Sequence, residues 1–243
     1  MASRKQKHQK YLARYSDIPL DYEERLAWMY DKYKISASDQ QAILEARDQM
    51  LNQLSYKTIH IVLYEEPEGA KRPRTRIINR GNVLQAARTS DFVHIYSPGA
   101  AENNNYMRRL VDEREIIQLE QLICTPCDVR FCAYFKTPSY YNKTETFLAE
   151  LGLERPITKP DHDNIAKLYS DMYNSTVWID DALTIHGETF KYYSILPRVE
   201  ITLMYLNMLY NKHQYNQVVN RKDFTEGMTV DYFQGGINNN GRT

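Results

Sequence analysis

"KPDHDNIAKLYSDMYNSTVWIDD", residues 159–181, holds five aspartates in one short stretch: Asp161, Asp163, Asp171, Asp180 and Asp181. Its spacing decides how this part of the chain folds. Pro160 biases Lys159 towards an extended backbone. Asp161 and Asp163, two residues apart, project to the same side of such a segment. Asp163 also suits a helix N-cap or first turn, where the helix dipole favours a carboxylate. Ile165, Leu168 and Met172 then recur at helical spacing and face a core, while Asp163, Lys167 and Asp171 line another face. Asn174 and Ser175 break the helix, and Trp178 and Ile179 lead to Asp180 and Asp181 at the start of a strand. A helix followed by a strand returns the chain, so one of this last pair comes back beside Asp161 and Asp163. Neighbours in an extended chain point opposite ways, so only one of the two joins them.

Converging carboxylates repel one another unless a cation sits between them. Oxygen-only ligation selects a hard ion, and few protein ligands with water completing the shell suits magnesium. Two plainer readings compete. Helix capping and i,i+4 pairing account for Asp163, Lys167 and Asp171 as surface charge, but leave Asp161 and Asp181 unused. A calcium loop fails, because Ala166 stands where the turn glycine belongs and Met172 where the bidentate glutamate belongs. His162, between two of the aspartates, points away from them.

Outward from this stretch, residues 20–54 read as a helical hairpin. Tyr22, Leu26, Met29, Tyr30 and Tyr33 recur at helical spacing, and Ser38 with Gln41 forms a capping-box pattern before Ile43, Leu44 and Met50. The hairpin serves either packing or subunit contact. Residues 57–67 and 91–98 read as strands, with a basic loop or hairpin between them. Residues 101–123 read as a helix, 127–135 as an alternating strand and 139–152 as a helix or ordered loop. Residues 182–193 and 197–206 read as an antiparallel hairpin. From about 211 the Asn-rich sequence suggests a loose tail. Helices and strands mixed without strict alternation make an α+β domain. The expected organisation is a basic arm and helical hairpin at 1–54, a main domain at 55–208 and a polar C-terminal tail at 209–243.

Hydrophobic residues at 42% and charged residues at 26% are ordinary for a globular chain of 243 residues. No apolar run approaches the ~20 residues that span a bilayer, and the basic N-terminus lacks the apolar stretch of a secretory signal. Cys124, Cys127 and Cys132 are too few for a disulfide framework, which fits a reducing, cytoplasmic location. Cys124 and Cys127 have CxxC spacing but no fourth ligand for zinc, so they read as buried or incidental thiols. The net charge is zero, yet Arg4, Lys5, Lys7, Lys10 and Arg14 form one acid-free block and Lys71, Arg72, Arg74, Arg76 and Arg80 another. These blocks are either phosphate-contacting surfaces or solvated faces.

Lys159-Pro160-Asp161, Asp163-Asn164-Ile165, Lys167, Asp171, Asn174 and Asp180-Asp181 together resemble the pattern of the RusA family of Holliday-junction resolvases, with every spacing kept across residues 159–181. More weakly, Arg72-Pro73-Arg74 and Tyr96-Ser97-Pro98 resemble upstream family elements, and the likeness extends over about residues 57–206. Ser175 departs from it where a glycine commonly follows the asparagine, and Leu183 where a glutamine commonly follows the aspartate pair. The resemblance implies a mixed, largely antiparallel sheet flanked by helices. It further implies a magnesium-dependent endodeoxyribonuclease that resolves four-way junctions by paired nicks, acting as a homodimer on branched DNA. By it, Asp161, Asp163 and Asp181 are the catalytic, Mg2+-binding aspartates and Lys167 the essential lysine. Asp171 and Asp180 support them, and Arg72, Arg74 and Lys191 are candidate contacts to the DNA backbone. Two other functions fit the same residues: a nuclease on forks or flaps, and a branched-DNA binder without catalysis.

Overall fold

The computed structural model describes residues 15–70, 74–77, 93–96 and 121–235. Backbone contacts divide the chain into two units, Met1–Gln53 with Gln234–Thr243, and Leu54–Phe233. The block Arg4 to Arg14, Lys71, Arg72, Arg80, Ser97-Pro98 and most of the helix expected at 101–123 lie outside the described residues.

In the first unit, α1 (Tyr22–Lys32) starts where the Asp21 carboxylate accepts the Glu24 N–H, and this cap satisfies one of the donors a helix start leaves over. It stops at Lys34, whose φ of 53° lets the Ile35 N–H reach back to the Tyr30 carbonyl at 3.0 Å. In α2 (Ala37–Gln53) the Asp39 N–H donates to Ser36 Oγ at 3.2 Å, so Ser36 does the capping that the sequence pattern assigns to Ser38. Neither helix contains a buried residue, and Met29, Tyr33, Leu44 and Leu51 are exposed.

The second unit is built on β1 (Tyr56–Leu63), β4 (Cys127–Lys136), β5 (Thr184–Ser194) and β6 (Arg198–Leu206). These form one sheet in the order β1-β6-β4-β5, antiparallel except for the parallel pair β4 and β5. A separate two-stranded antiparallel ladder joins β2 (Arg74–Ile77) to β3 (Val93–Tyr96). Among the described residues, three α-helices complete the unit: α3 (Lys143–Glu150), α4 (His162–Tyr173) and α5 (Lys212–Val219). The fold is α+β with a mixed, largely antiparallel sheet, as expected.

One pairing differs from the sequence reading. β5 and β6 are not a hairpin, because β4 lies between them. Cys127, Val129, Phe131 and Ala133 on alternate positions of β4 are all buried, so this strand takes the centre and pairs on both edges. α3 and α4 occupy the connection from β4 to β5, a crossover that sets those strands parallel; β6 is left to pair antiparallel on the other side.

α4 lies on the inner face of this sheet. Its Ile165, Leu168, Tyr169, Met172 and Tyr173 are buried in one cluster with Ile61, Val129, Phe131, Val199, Ile201 and Leu203. Each such apolar side chain contributes about 2 kcal/mol, so the helix is held by the stripe opposite its charged face. The stretch expected as a loose tail carries α5. Leu209 and Val218 bury against Cys124 and Ile179 in a second cluster. The polar composition hides these few apolar residues, and the Asn211 cap, which accepts the Gln214 N–H at 3.0 Å, starts the helix.

Candidate functional site

The site residues are carried by the loop before α4, by α4 itself and by the turn before β5. α4 begins at His162 with Asp161 as its N-cap, so Asp163 falls in the first turn. The Asp161 side chain makes no capping hydrogen bond. By contrast Asp21, Asn142 and Asn211, at the starts of α1, α3 and α5, each accept a backbone N–H. Asp161 therefore leaves its carboxylate free of the helix, exposed beside the exposed Asp163.

The segment after β1 braces this start. The Ala70 N–H donates to the Asn164 carbonyl at 2.8 Å, and the Glu68 N–H to Tyr169 Oη at 3.4 Å. Gly69 lies so close that a Cβ there would sit 2.5 Å from Pro160 Cβ. A glycine is needed for that approach.

One turn into α4, Lys167 pairs with Asp171 at 3.3 Å; both side chains are well exposed. At the other end of the site, Asp180 is the N-cap of a 3₁₀ turn at Asp181–Leu183. Its Oδ1 accepts the Ala182 N–H at 2.8 Å and its Oδ2 accepts from Arg221 Nη2 at 2.7 Å. These two bonds hold the Asp180 carboxyl below the usual carboxylate range. Asp181 goes the other way. Although the residue is exposed overall, desolvation of its carboxyl, then the hydrogen bond and charge of Asp180, and then Asp171, raise it above the usual range, against the pull of Lys167. The turn replaces the strand start expected here. It still gives the pair different surroundings, with Asp180 tied down and Asp181 resisted in its charge.

The structure thus relates Asp181 to Lys167 and Asp171, and sets Asp161 and Asp163 together at the helix start. Among the described residues no group of three or more His, Cys, Asp or Glu stands ready to hold a metal ion. The donor chemistry nonetheless suits a hard divalent cation: the candidates are all carboxylates, one is uncommitted at an N-cap, and one has its charge opposed by its neighbours.

Lys191 has a partner inside the protein. Its Nζ donates to the Thr158 carbonyl and lies 5.7 Å from the Phe135 ring centre, tying the loop before Lys159 to β5. Arg74 opens β2, and Arg72 lies outside the described residues. Cys124 and Cys127 are free, buried thiols pushed up to about 11, chiefly by burial, and Cys132 is half-buried and free. No helix among the described residues is long and apolar enough to cross a membrane.

Sequence reasoning missed Gly69 and Arg221. Nothing near either residue in the chain signals its role, since Arg221 meets Asp180 across 41 positions and Gly69 meets Pro160 only after the fold closes.

Compared with known proteins, the chain matches the family described as Endodeoxyribonuclease RusA over residues 66–204. It is also 30% identical over 147 residues to the uncharacterized protein YqaN of Bacillus subtilis (strain 168), an alignment covering 60% of this chain and 94% of that protein.

Proposed function

The chain belongs to the RusA endodeoxyribonuclease family, and from that premise we propose that it resolves four-way (Holliday) DNA junctions by paired nicks, with magnesium as its cofactor. The observation that carries this reading is the arrangement around α4. The uncommitted Asp161 carboxylate, Asp163 and Lys167 follow one another along the start of one buried-faced helix, and the Asp180-Asp181 turn precedes the strand beneath it.

In this reading Asp161, Asp163 and Asp181 hold the ion, which when bound polarises the scissile phosphate and lowers the pKa of an attacking water. Lys167 acts on charge that develops during reaction. Its exposed pair with Asp171 is of the weak kind, so the ammonium exchanges that partner for a phosphate oxygen at little cost and stabilises the departing oxyanion. Asp171 keeps the ammonium near α4 until DNA arrives. Lys191 steadies the loop leading to Asp161. Arg72 and Arg74, and the basic arm within residues 1–54, supply sequence-independent phosphate contacts.

A four-way junction has two-fold symmetry, so a homodimer supplies two sites in the relation that paired nicks require. Residues 55–208 form the nuclease domain in this proposal, residues 1–54 add DNA affinity or subunit contact, and residues 209–243 follow as a polar C-terminal region. The exposed apolar side chains of α1 and α2 support a contact role. Free thiols fit a cytoplasmic location.

The test is cleavage of synthetic four-way junctions, forks, flaps and linear duplexes by the full chain, with Mg2+ or with a chelator. Symmetric, Mg2+-dependent nicks in the junction are expected, and Asp161→Asn is expected to bind the junction without cutting it. Preferential cutting of forks or flaps would move the substrate; binding to junctions without any cleavage would leave only a branched-DNA binder.

A further inference from the structure

We propose that Arg221 is a positioning residue of the nuclease site, holding the Asp180 carboxylate so that the following turn presents Asp181 in one fixed orientation. The proposal rests on the nuclease reading of Asp181 given above, and it concerns a part of the chain beyond residues 66–204 that the family comparison covers.

Both oxygens of Asp180 are committed. Oδ1 accepts the Ala182 N–H at 2.8 Å and closes the turn from within; Oδ2 accepts from Arg221 Nη2 at 2.7 Å and anchors it from outside. The same guanidinium grips Asp223 in a fork, Nε to Oδ1 at 2.9 Å and Nη2 to Oδ2 at 2.8 Å. One planar cation therefore bridges two carboxylates. The Arg221 and Asp180 side chains are each only 33% exposed, so solvent screens the contact less than it screens Lys167 and Asp171. With its charge shared by two acids, Arg221 has little left to offer a DNA phosphate, whereas its fixed fork suits the holding of a carboxylate.

The clamp is mounted on a braced segment. Val218, three residues before Arg221, is buried with Leu209, Cys124 and Ile179, and Ile179 immediately precedes Asp180. The Leu209 N–H donates to the Asp231 carbonyl at 2.8 Å, the Phe233 N–H to the Leu209 carbonyl at 2.9 Å, and the Thr229 N–H to Gln121 Oε1 at 3.1 Å. Both ends of the Arg221–Asp180 contact thus stand on one small apolar cluster. A shift of Asp180 carries Asp181 with it, because the two are adjacent in a single 3₁₀ turn.

A plain staple for the C-terminal segment would lower stability without altering chemistry. Steady-state cleavage of a four-way junction by the full chain separates the two roles, using Arg221→Gln, Arg221→Lys, Asp180→Asn and the Arg221→Gln/Asp180→Asn double variant. Arg221→Gln is expected to lower kcat roughly ten- to a hundred-fold, as loss of a partner that orients a ligand does. KM should stay within about threefold, since no substrate contact is removed. Arg221→Lys should restore part of kcat, because an ammonium reaches one carboxylate but cannot fork two. The double variant should be no slower than the slower single, the non-additivity of residues acting through one contact. Amide exchange gives a readout independent of activity: in Arg221→Gln the Ala182 N–H should exchange roughly tenfold faster or more while β4 amides keep their rates. Wild-type kcat, additive losses in the double variant, or unchanged Ala182 exchange would each overturn the proposal. A wild-type chain inert on every branched DNA would instead overturn the nuclease reading, with Ala182 exchange still deciding whether Arg221 fixes the turn.

Discussion

Replacing Gly69 by alanine places a methyl carbon 2.5 Å from Pro160 Cβ, 3.3 Å from Asn164 Cβ and 3.5 Å from Pro160 Cγ. Ordinary contact begins near 3.4 Å, so Pro160 must retreat by about 0.9 Å. The proline ring is closed onto its own backbone nitrogen and cannot rotate away. The displacement therefore passes to the backbone that leads into Asp161, or back into the segment whose Ala70 N–H bonds the Asn164 carbonyl. Overpacking of this size costs about 2 kcal/mol. For a unit the size of Leu54–Phe233 that lowers Tm by about 4–8 °C. A shift of about 1 Å at the start of α4 lowers single-turnover cleavage by up to about a hundredfold. Thermal melts and junction cleavage on the same preparation read both effects. Gly227→Ala is the control: its φ of +97° strains any other residue, yet nothing lies within 4 Å of the added carbon. It should lose about 1 kcal/mol of stability and keep its cleavage rate. A Gly69→Ala chain with the wild-type Tm and rate would refute the view that the segment after β1 sets the position of Asp161.

Ser175 holds a φ of +61°, a region that costs a residue with a side chain about 1–2 kcal/mol. Part of that gain is offset by the added freedom of an unfolded glycine, so Ser175→Gly should stabilise by about 0.5–1 kcal/mol in denaturant melts. Asp181→Asn should abolish cleavage and yet slightly stabilise the chelator-treated protein at pH 7, an effect that solvent screening keeps small. The sign follows from the raised Asp181 carboxyl: the folded chain bears the cost of ionising it above the folded pKa and is relieved as pH falls. The advantage of the variant should therefore shrink towards pH 4, near the pKa of an unfolded aspartate, about 3.9; a gain that persists there would contradict it. Lys191→Ala should weaken the loop at Thr158 and leave the salt dependence of junction binding unchanged. A salt slope shallower by about one would show a phosphate contact instead.

The sequence by itself determined whatever depends on near neighbours. The periodicity of Ile165, Leu168 and Met172 marks the buried stripe of α4, and Lys167 and Asp171, four apart, form the pair that spacing requires. Asn174 and Ser175 end the helix: Asn174 turns out of it with a ψ of 129°, and Ser175 follows in a left-handed backbone. Strand existence was legible too, since alternation in β4 and β6 reports which side of each faces the core. Which strands pair was not: β5 and β6 are adjacent in the chain, but β4 buries more apolar surface by lying between them, and the crossover through α3 and α4 permits it. The tertiary structure also decided the fate of the charges. A carboxylate carries no mark of its eventual partner, so only the folded chain separates Asp180, held by Arg221, from Asp181, opposed by its neighbours. Only the packing of Val218 and Leu209 against Ile179 brings an arginine from an outwardly featureless polar stretch to that turn, since apolar burial has no sequence range and a few buried side chains suffice to anchor it.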